Sequence, residues 1–367
     1  MGEILGIGIS HYPPLSGRDE DMANILKGRL QDPDVPAEAK DRSNWPAAMQ
    51  AEWGDDEGLT GARKHRARML DGLRAARAAL DEFNPDFVLV WGDDQYENFK
   101  EDIVPPFCVL AYEDMKIKPW AHASESAMFS KSKDEWGGGR PNVWSETGAH
   151  EILVRGHREA ARHLASELLL NDFDVSYAYE PLHHPGLPHA FLNSVLYLDY
   201  DRKGFPWPVI PFQINCYGRL VISYRGFISR LADRGRPLDP PSPKPRRVMS
   251  LGAEVARICR DSPWRVALVA SSSWSHAFLV DKTHRMAPDV ELDRELYLAL
   301  KRGDWARWKE VTLEQVEQSG EQELLNWFAL AGAMEALDMK CTWSDVAETY
   351  LFNSTKVTAI FDPKRQR

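Results

Sequence analysis

Short, unbroken apolar runs alternate along the chain with stretches in which apolar residues recur every three or four positions. Such runs are typical of strands buried on both faces, as in a parallel sheet. The predicted strands are Ile4–Ile9, Phe87–Trp91, Val209–Asn215, Val266–Ala270 and Val357–Phe361, with another near Asp174–Tyr179. The periodic stretches predict helices over Gly61–Phe83, His150–Leu170, Ser250–Cys259 and most of Leu313–Leu337. This alternation predicts an α/β fold, a layered domain with a mostly parallel central sheet flanked by helices.

Two segments interrupt the alternation without breaking the chain into domains. Residues 112–149 are rich in Trp, Ser and Gly and are interpreted as an excursion from the sheet. Residues 236–247 are rich in proline, which predicts an extended connection on the surface. We therefore expect one domain over residues 1–367.

Composition and charge exclude several functional classes. The chain has 45 basic and 55 acidic side chains and a net charge of −10, which argues against a nucleic-acid partner. Its four cysteines show no paired spacing, so neither a disulfide framework nor a thiolate metal site is expected. The apolar run near Met1 is too short for a signal peptide, and no run reaches the 18 residues of a membrane span. The sequence predicts a cytoplasmic protein without membrane partners.

Polar side chains follow four predicted strands at their carboxyl ends, where open α/β sheets collect ligands. The residues concerned are Ser10 and His11, Asp93 to Glu97, His183 and His184, and Ser271 to His276. A single histidine in such a place is more often structural. The coincidence of four such ends favours one shared polar pocket with a metal.

The order of these motifs resembles the catalytic subunit of the class III (LigB-type) extradiol ring-cleaving dioxygenases, which include protocatechuate 4,5-dioxygenase. The matching segments are Ser10–Pro13, Val88–Phe99, His183–Pro188, Ser272–His276, Glu291–Arg294 and Asn326–Met334. The resemblance extends over nearly the whole chain and implies a LigB-like fold. It also implies a non-haem Fe(II) that binds a catechol-like substrate and O₂.

The resemblance places His11 and Glu291 on two metal ligands, with Asp293 and Glu295 as nearby alternatives to Glu291. The alternative interpretations are a histidine that caps a turn and an ordinary glutamate in the first turn of a helix. The family's second ligand is a histidine, but here Gln95 stands at that position.

The expected ligand set is therefore His11, Gln95 and Glu291, with Asp93 and Asp94 as additional candidates. An amide oxygen is a poorer Fe(II) ligand than an imidazole, so an oxygen-rich set would also suit Mn(II) or another divalent metal.

The resemblance also assigns catalytic histidines. His183 is the expected base and His184 its alternative, while His276 is expected to hydrogen-bond bound substrate or oxygen. A surface loop and a buried, satisfied imidazole are the structural alternatives. The other histidines are interpreted as structural: His65, His122, His150, His157, His163, His189 and His284.

In related enzymes the region of residues 112–149 walls the mouth of the substrate site, and Trp faces would suit a flat aromatic ligand. The same Trp residues could instead pack loops onto the sheet or form an oligomer contact.

The leading functional hypothesis is an extradiol-type dioxygenase. Gln95 leaves open a metal-dependent lyase or hydrolase on the same scaffold, and a non-catalytic subunit is the third hypothesis. A homo-oligomer is expected, and a small partner subunit remains an option.

Overall fold

The computed structural model describes residues 2–121, 142–220 and 237–366. Much of the predicted excursion, including residues 122–141 and with them His122, lies outside the described residues. So does residue 236, at the start of the predicted proline-rich connection.

Ten strands are present in the described ranges. They are β1 (Ile4–Ile9), β2 (Phe87–Gly92), β3 (Phe107–Leu110), β4 (Met115–Ile117), β5 (Ile152–Val154), β6 (Ser176–Ala178), β7 (Val209–Ile214), β8 (Val266–Ser271), β9 (Trp343–Ala347) and β10 (Lys356–Phe361). Eight of them form one sheet in the order β6-β3-β7-β2-β8-β1-β10-β9, while β4 and β5 form a separate pair.

The centre of the large sheet is parallel. β1, β8, β2 and β7 run in the same direction, and antiparallel pairings join β3 to β7, β10 to β1, and β9 to β10. Ala270 pairs with Gly8 of β1 and with Trp91 of β2, so these three strands end side by side. The predicted α/β fold with a mostly parallel central sheet is confirmed.

Eleven α-helices are present in the described ranges. They are α1 (Asn24–Gln31), α2 (Ala37–Lys40), α3 (Ala47–Trp53), α4 (Leu59–Phe83), α5 (Arg158–Leu170), α6 (His189–Leu198), α7 (Pro245–Asp261), α8 (Val290–Arg302), α9 (Trp305–Glu310), α10 (Leu313–Gln318) and α11 (Leu325–Ala336). None of these helices is long and apolar enough to cross a membrane.

The helices cover both faces of the sheet, because alternate residues of each central strand point to opposite sides. Leu89 and Leu268 belong to a core shared with α5, α7 and α11, whereas Val88 and Val269 belong to a core shared with α4 and α6. Both faces of the central sheet are therefore apolar, which explains why the sequences of these strands are unbroken apolar runs.

α7 and α11 pack backbone against backbone. A Cβ at Gly252 of α7 would clash with the carbonyl oxygen of Ala329, and one at Gly332 of α11 would clash with that of Met249. These two glycines therefore permit the close approach of the helices, which fixes α11 and the turn preceding it.

One helix begins later than predicted. The region 150–170 contains β5 and then α5, which begins at Arg158, where His157 accepts a hydrogen bond from the backbone of Ala160. The apolar residues of Ile152–Val154 pair with β4 instead of joining the helix.

Candidate metal centre

The carboxyl ends of the central strands bring a buried set of polar side chains together. His11 lies just beyond β1, Asp93 directly follows β2, and Glu323 lies in a 3₁₀ turn that leads into α11. Each offers one ligand atom, and these atoms all lie within 4.8 Å of one another. Imidazole and carboxylate groups in this arrangement can hold a divalent metal ion.

The imidazole of His11 is oriented as a metal ligand. Its Nδ1 lies 3.0 Å from the carbonyl oxygen of Ser271, which can only accept, so Nδ1 carries the proton and Nε2 is an acceptor. Nε2 lies 3.6 Å from Oε2 of Glu323. Burial, followed by the charge on His189, holds the pKa of His11 well below its ordinary value. The ring is therefore neutral, as metal binding requires.

Asp93 and Glu323 are carboxyl groups enclosed inside the protein, 0% and 2% exposed. Burial raises the pKa of Asp93 to about 6, and burial together with the charge on Asp93 raises the pKa of Glu323 well above its usual range. Oε2 of Glu323 has no hydrogen-bond partner among the described residues. A divalent cation would satisfy this oxygen and favour the ionised form of both groups, so the donor set fits a metal.

Gln95 lies between the two carboxyl groups. Its Nε2 is 3.2 Å from Oδ2 of Asp93, 3.0 Å from Oε1 of Glu323 and 3.1 Å from the hydroxyl oxygen of Tyr217. The Tyr217 hydroxyl donates to the same Oε1 of Glu323, and burial keeps it protonated by raising its pKa. The structure thus brings Gln95 to the site with its amide NH₂ towards the carboxylates.

His189, interpreted above as structural, lies against His11 with ring centroids 5.0 Å apart. Its Nδ1 and backbone N–H donate to Glu97 over 2.8 and 3.1 Å. Burial lowers the pKa of His189, but the charges of Glu97 and then Asp93 prevail and raise it to about 9. The side chain of His189 is 24% exposed, against 2% for His11, so the cluster faces solvent on this side.

His276 lies beside Glu323, with Nε2 3.4 Å from Oε2. Burial, followed by the charge on Lys356, lowers the pKa of His276 to about 3, so the imidazole is neutral. Its Nδ1 makes no hydrogen bond to any part of the chain that the structure describes. His276, which the sequence predicts to lie beside the metal, is therefore close to the buried group of His11, Asp93 and Glu323.

Three predicted site residues lie outside this group. Glu291 is exposed on the first turn of α8. His183 pairs with Asp102 at the surface, 2.9 Å between Nε2 and Oδ2, and Nδ1 of His184 accepts the backbone N–H of Gly186. A ligand must reach the ion directly, so this geometry favours Glu323 over Glu291.

The remaining carboxylate candidates have local partners. Asp94 accepts backbone N–H groups at residues 97, 98 and 99 and so closes the loop after β2, and burial raises its pKa to about 7. Asp293 accepts the backbone N–H of Ser275, and Glu295 pairs with Arg307. These contacts tie Asp94 and Glu295 to local partners, whereas Asp293 is buried with its Oδ2 lacking a hydrogen-bond partner among the described residues.

Glu323, His189 and Tyr217 lie at this candidate site but were not among the site residues predicted from the sequence. Glu323 lies three residues before Asn326, where the matched helical motif begins, so a carboxylate was present beside a recognised segment. His189 follows Pro188 and precedes an apolar run, a signal for a helix start. No motif or spacing in the sequence indicates Tyr217, because only the tertiary fold brings it to Glu323.

Comparison with known proteins shows a similarity to ring-opening dioxygenases. The family model of the catalytic LigB subunit of aromatic ring-opening dioxygenase matches residues 238–356. A 2,3-dihydroxyphenylpropionate/2,3-dihydroxicinnamic acid 1,2-dioxygenase of Pseudomonas putida is 28% identical over 204 residues, 56% of this chain and 48% of that protein. A gallate dioxygenase of Pseudomonas putida is 23% identical over 188 residues, 50% of this chain and 47% of that protein.

The chain spans about half the length of the curated relatives it matches. A crystal structure of an uncharacterized protein from Escherichia coli K12 covers 78% of this chain and 91% of its own, with 11% identity and a TM-score of 0.41. Residues 238–356 are thus similar to the LigB catalytic subunit family, and about half of the chain is similar, at 23–28% identity, to dioxygenases named for 2,3-dihydroxyphenylpropionate and for gallate.

Proposed function

We propose that this chain is a non-haem, metal-dependent dioxygenase of the extradiol type, which opens a catechol-like aromatic ring with O₂. The observation that carries the proposal is the buried group of His11, Asp93 and Glu323 in a chain similar to the LigB family. Relatives are named for 2,3-dihydroxyphenylpropionate and for gallate, which supports an aromatic substrate.

We propose Fe(II) as the metal and Mn(II) as its alternative, with His11, Asp93 and Glu323 as the residues that would hold it. When bound, the metal would supply adjacent coordination positions for the ring hydroxyls and O₂ and would lower the pKa of the hydroxyls.

His189 is the residue that we propose moves a proton to and from the substrate. Glu97 holds its Nδ1 at 2.8 Å, so Nε2 is the end that can reach a ring hydroxyl beside His11. Proton transfer by a positioned side chain needs this combination of a fixed ring and a partly open face. His276, neutral and beside Glu323, is proposed to hydrogen-bond the bound substrate or oxygen.

The test is anaerobic reconstitution with Fe²⁺, followed by oxygen uptake and the yellow ring-fission product over a panel of catechols. We expect uptake of one O₂ per ring opened. Bound iron without uptake on any catechol would overturn the proposal.

The family's second metal ligand is a histidine, whereas the buried group offers the carboxylate of Asp93. This difference favours one other candidate function, that of a metal-dependent lyase or hydrolase that does not activate oxygen. The same catechol panel, incubated without O₂, distinguishes the two. Conversion that proceeds equally well without O₂ would establish this alternative.

A further inference from the structure

We propose that Gln95 is a positioning residue and not a metal ligand: its amide holds Asp93 and Glu323 in place, so that Asp93 serves as the second ligand where the family has histidine. This inference rests on the metal site of the proposed function. It assigns Gln95 a role opposite to the one expected from its position in the sequence.

The orientation of the amide carries the first step. Nε2 of Gln95 faces Oδ2 of Asp93 at 3.2 Å and Oε1 of Glu323 at 3.0 Å. A primary amide has two N–H donors, one for each carboxylate. The reverse orientation would set its carbonyl oxygen against two carboxylates, so electrostatics selects the donor orientation. An amide nitrogen that carries both hydrogens has no lone pair to offer a metal.

Tyr217 reinforces the same contact. Its hydroxyl donates to Oε1 of Glu323, the oxygen that also accepts from Gln95. With Oε1 held by two donors, Oε2 is the oxygen directed towards His11 and His276, at 3.6 and 3.4 Å. The two donors thereby determine which oxygen of Glu323 is presented to a metal.

The burial of the two carboxyl groups explains why a positioning residue is needed. Asp93 and Glu323 are 0% and 2% exposed, so bulk water does not surround them and protein donors must hold their oxygens. Gln95 donates to one oxygen of each group and so links the two side chains. Groups that orient metal ligands typically contribute about 10- to 100-fold to metal affinity.

The experiment measures Mn²⁺ affinity by the loss of the free-ion electron paramagnetic resonance signal, with the intact chain and without turnover. The variants are Gln95→Leu, Tyr217→Phe and the double variant. Gln318→Leu is the matched control, because this glutamine is exposed and bonds only to Glu314 among the described residues.

We expect Gln95→Leu to weaken Mn²⁺ binding by roughly 10- to 100-fold and Gln318→Leu to leave it unchanged. Since both side chains act on one oxygen of Glu323, Tyr217→Phe should cost less affinity when it is added to Gln95→Leu than when it is made in the wild type. Losses that simply multiply, or no loss with Gln95→Leu, would overturn the proposal. So would a Mn²⁺-loaded structure in which the Gln95 oxygen binds the ion.

A second variant separates this inference from the proposed metal site. If His11→Ala leaves Mn²⁺ binding intact, the metal does not bind at the proposed site, and the proposed function is wrong as well. If His11→Ala abolishes binding while Gln95→Leu binds normally, only the positioning role is wrong.

Discussion

Glu291 and Glu323 differ in the property that a ligand needs, which is access to the other ligands at the end of the sheet. Glu291 lies on an exposed helix turn, where its charge is solvated. Glu323 is 2% exposed and its Oε2 has no hydrogen-bond partner among the described residues, which is costly for an ionised carboxylate. A buried group of this kind persists when a cation compensates for it, and the neighbouring His11 and Asp93 complete the set.

Exchange of each glutamate for glutamine tests the assignment. Glu323→Gln keeps the shape of the side chain but removes the charge, so we expect metal affinity to fall by more than about tenfold. Glu291→Gln is the matched control and should bind metal like the wild type. Calorimetric titration with Mn²⁺ measures both, and the opposite pattern would reinstate Glu291 as the ligand.

The choice of catalytic histidine can be tested in the same way. Removal of a general acid or base typically costs about 10²–10⁴ in rate, and we expect a loss in this range for His189→Ala. Glu97→Gln should lower kcat by less, because the ring remains but loses the carboxylate that fixes Nδ1. His183→Ala, at the surface pair with Asp102, should retain kcat.

Steady-state kinetics at equal metal content gives these values. A loss of kcat with His183→Ala and none with His189→Ala would identify His183 as the base.

At the scale of secondary-structure elements, the contact between α7 and α11 positions the site. α11 follows directly on the turn that carries Glu323, and its Trp327 donates a hydrogen bond to the carbonyl oxygen of Ser272, just beyond β8. Gly252 and Gly332 allow the two helix backbones to approach closely. A displacement of α11 would therefore move Glu323 relative to the strand ends.

Gly252→Ala should destabilise the protein although alanine favours helices. The added methyl group would meet the carbonyl oxygen of Ala329, and overpacking of this kind costs about 1–3 kcal/mol. Gly28→Ala in α1 is the control: a Cβ there meets open space, and we expect it to stabilise by about 0.5–1 kcal/mol. Urea unfolding measures both, and equal effects of the two substitutions would contradict the close-packing argument.

The parts of the fold that sequence could predict are those where burial is uniform. β1, β2 and β8 are buried on both faces, so the apolar runs in the sequence predict these strands. β3 was not predicted, because an apolar run of four residues is too short to distinguish a strand. β9 was not predicted, because most of its residues are only partly buried. α6 was not predicted, because nearly all of its residues are buried and it therefore lacks the polar face that gives a helical period.

At the scale of the whole molecule, the candidate site joins distant parts of the chain. His11, Asp93 and Glu323 are brought together only by the completed sheet and by α11, so local motifs could indicate His11 but not the full ligand set. An unfolded chain cannot present these three groups at once. Metal binding at this candidate site would therefore be coupled to folding.

We expect Mn²⁺, or Fe²⁺ under anaerobic conditions, to raise the Tm of the wild-type protein. A ligand that binds only the folded state stabilises it by about 2.7 kcal/mol at 100 times its dissociation constant. His11→Ala should abolish the metal-dependent shift, whereas His183→Ala should retain it, because His183 bonds to Asp102 at the surface. Thermal unfolding over a metal titration gives the result. The end of β1 directs Nε2 of His11 towards Oε2 of Glu323, so loss of this imidazole removes one proposed ligand. A metal-dependent rise in Tm that survives His11→Ala would therefore mean that the stabilising ion binds elsewhere.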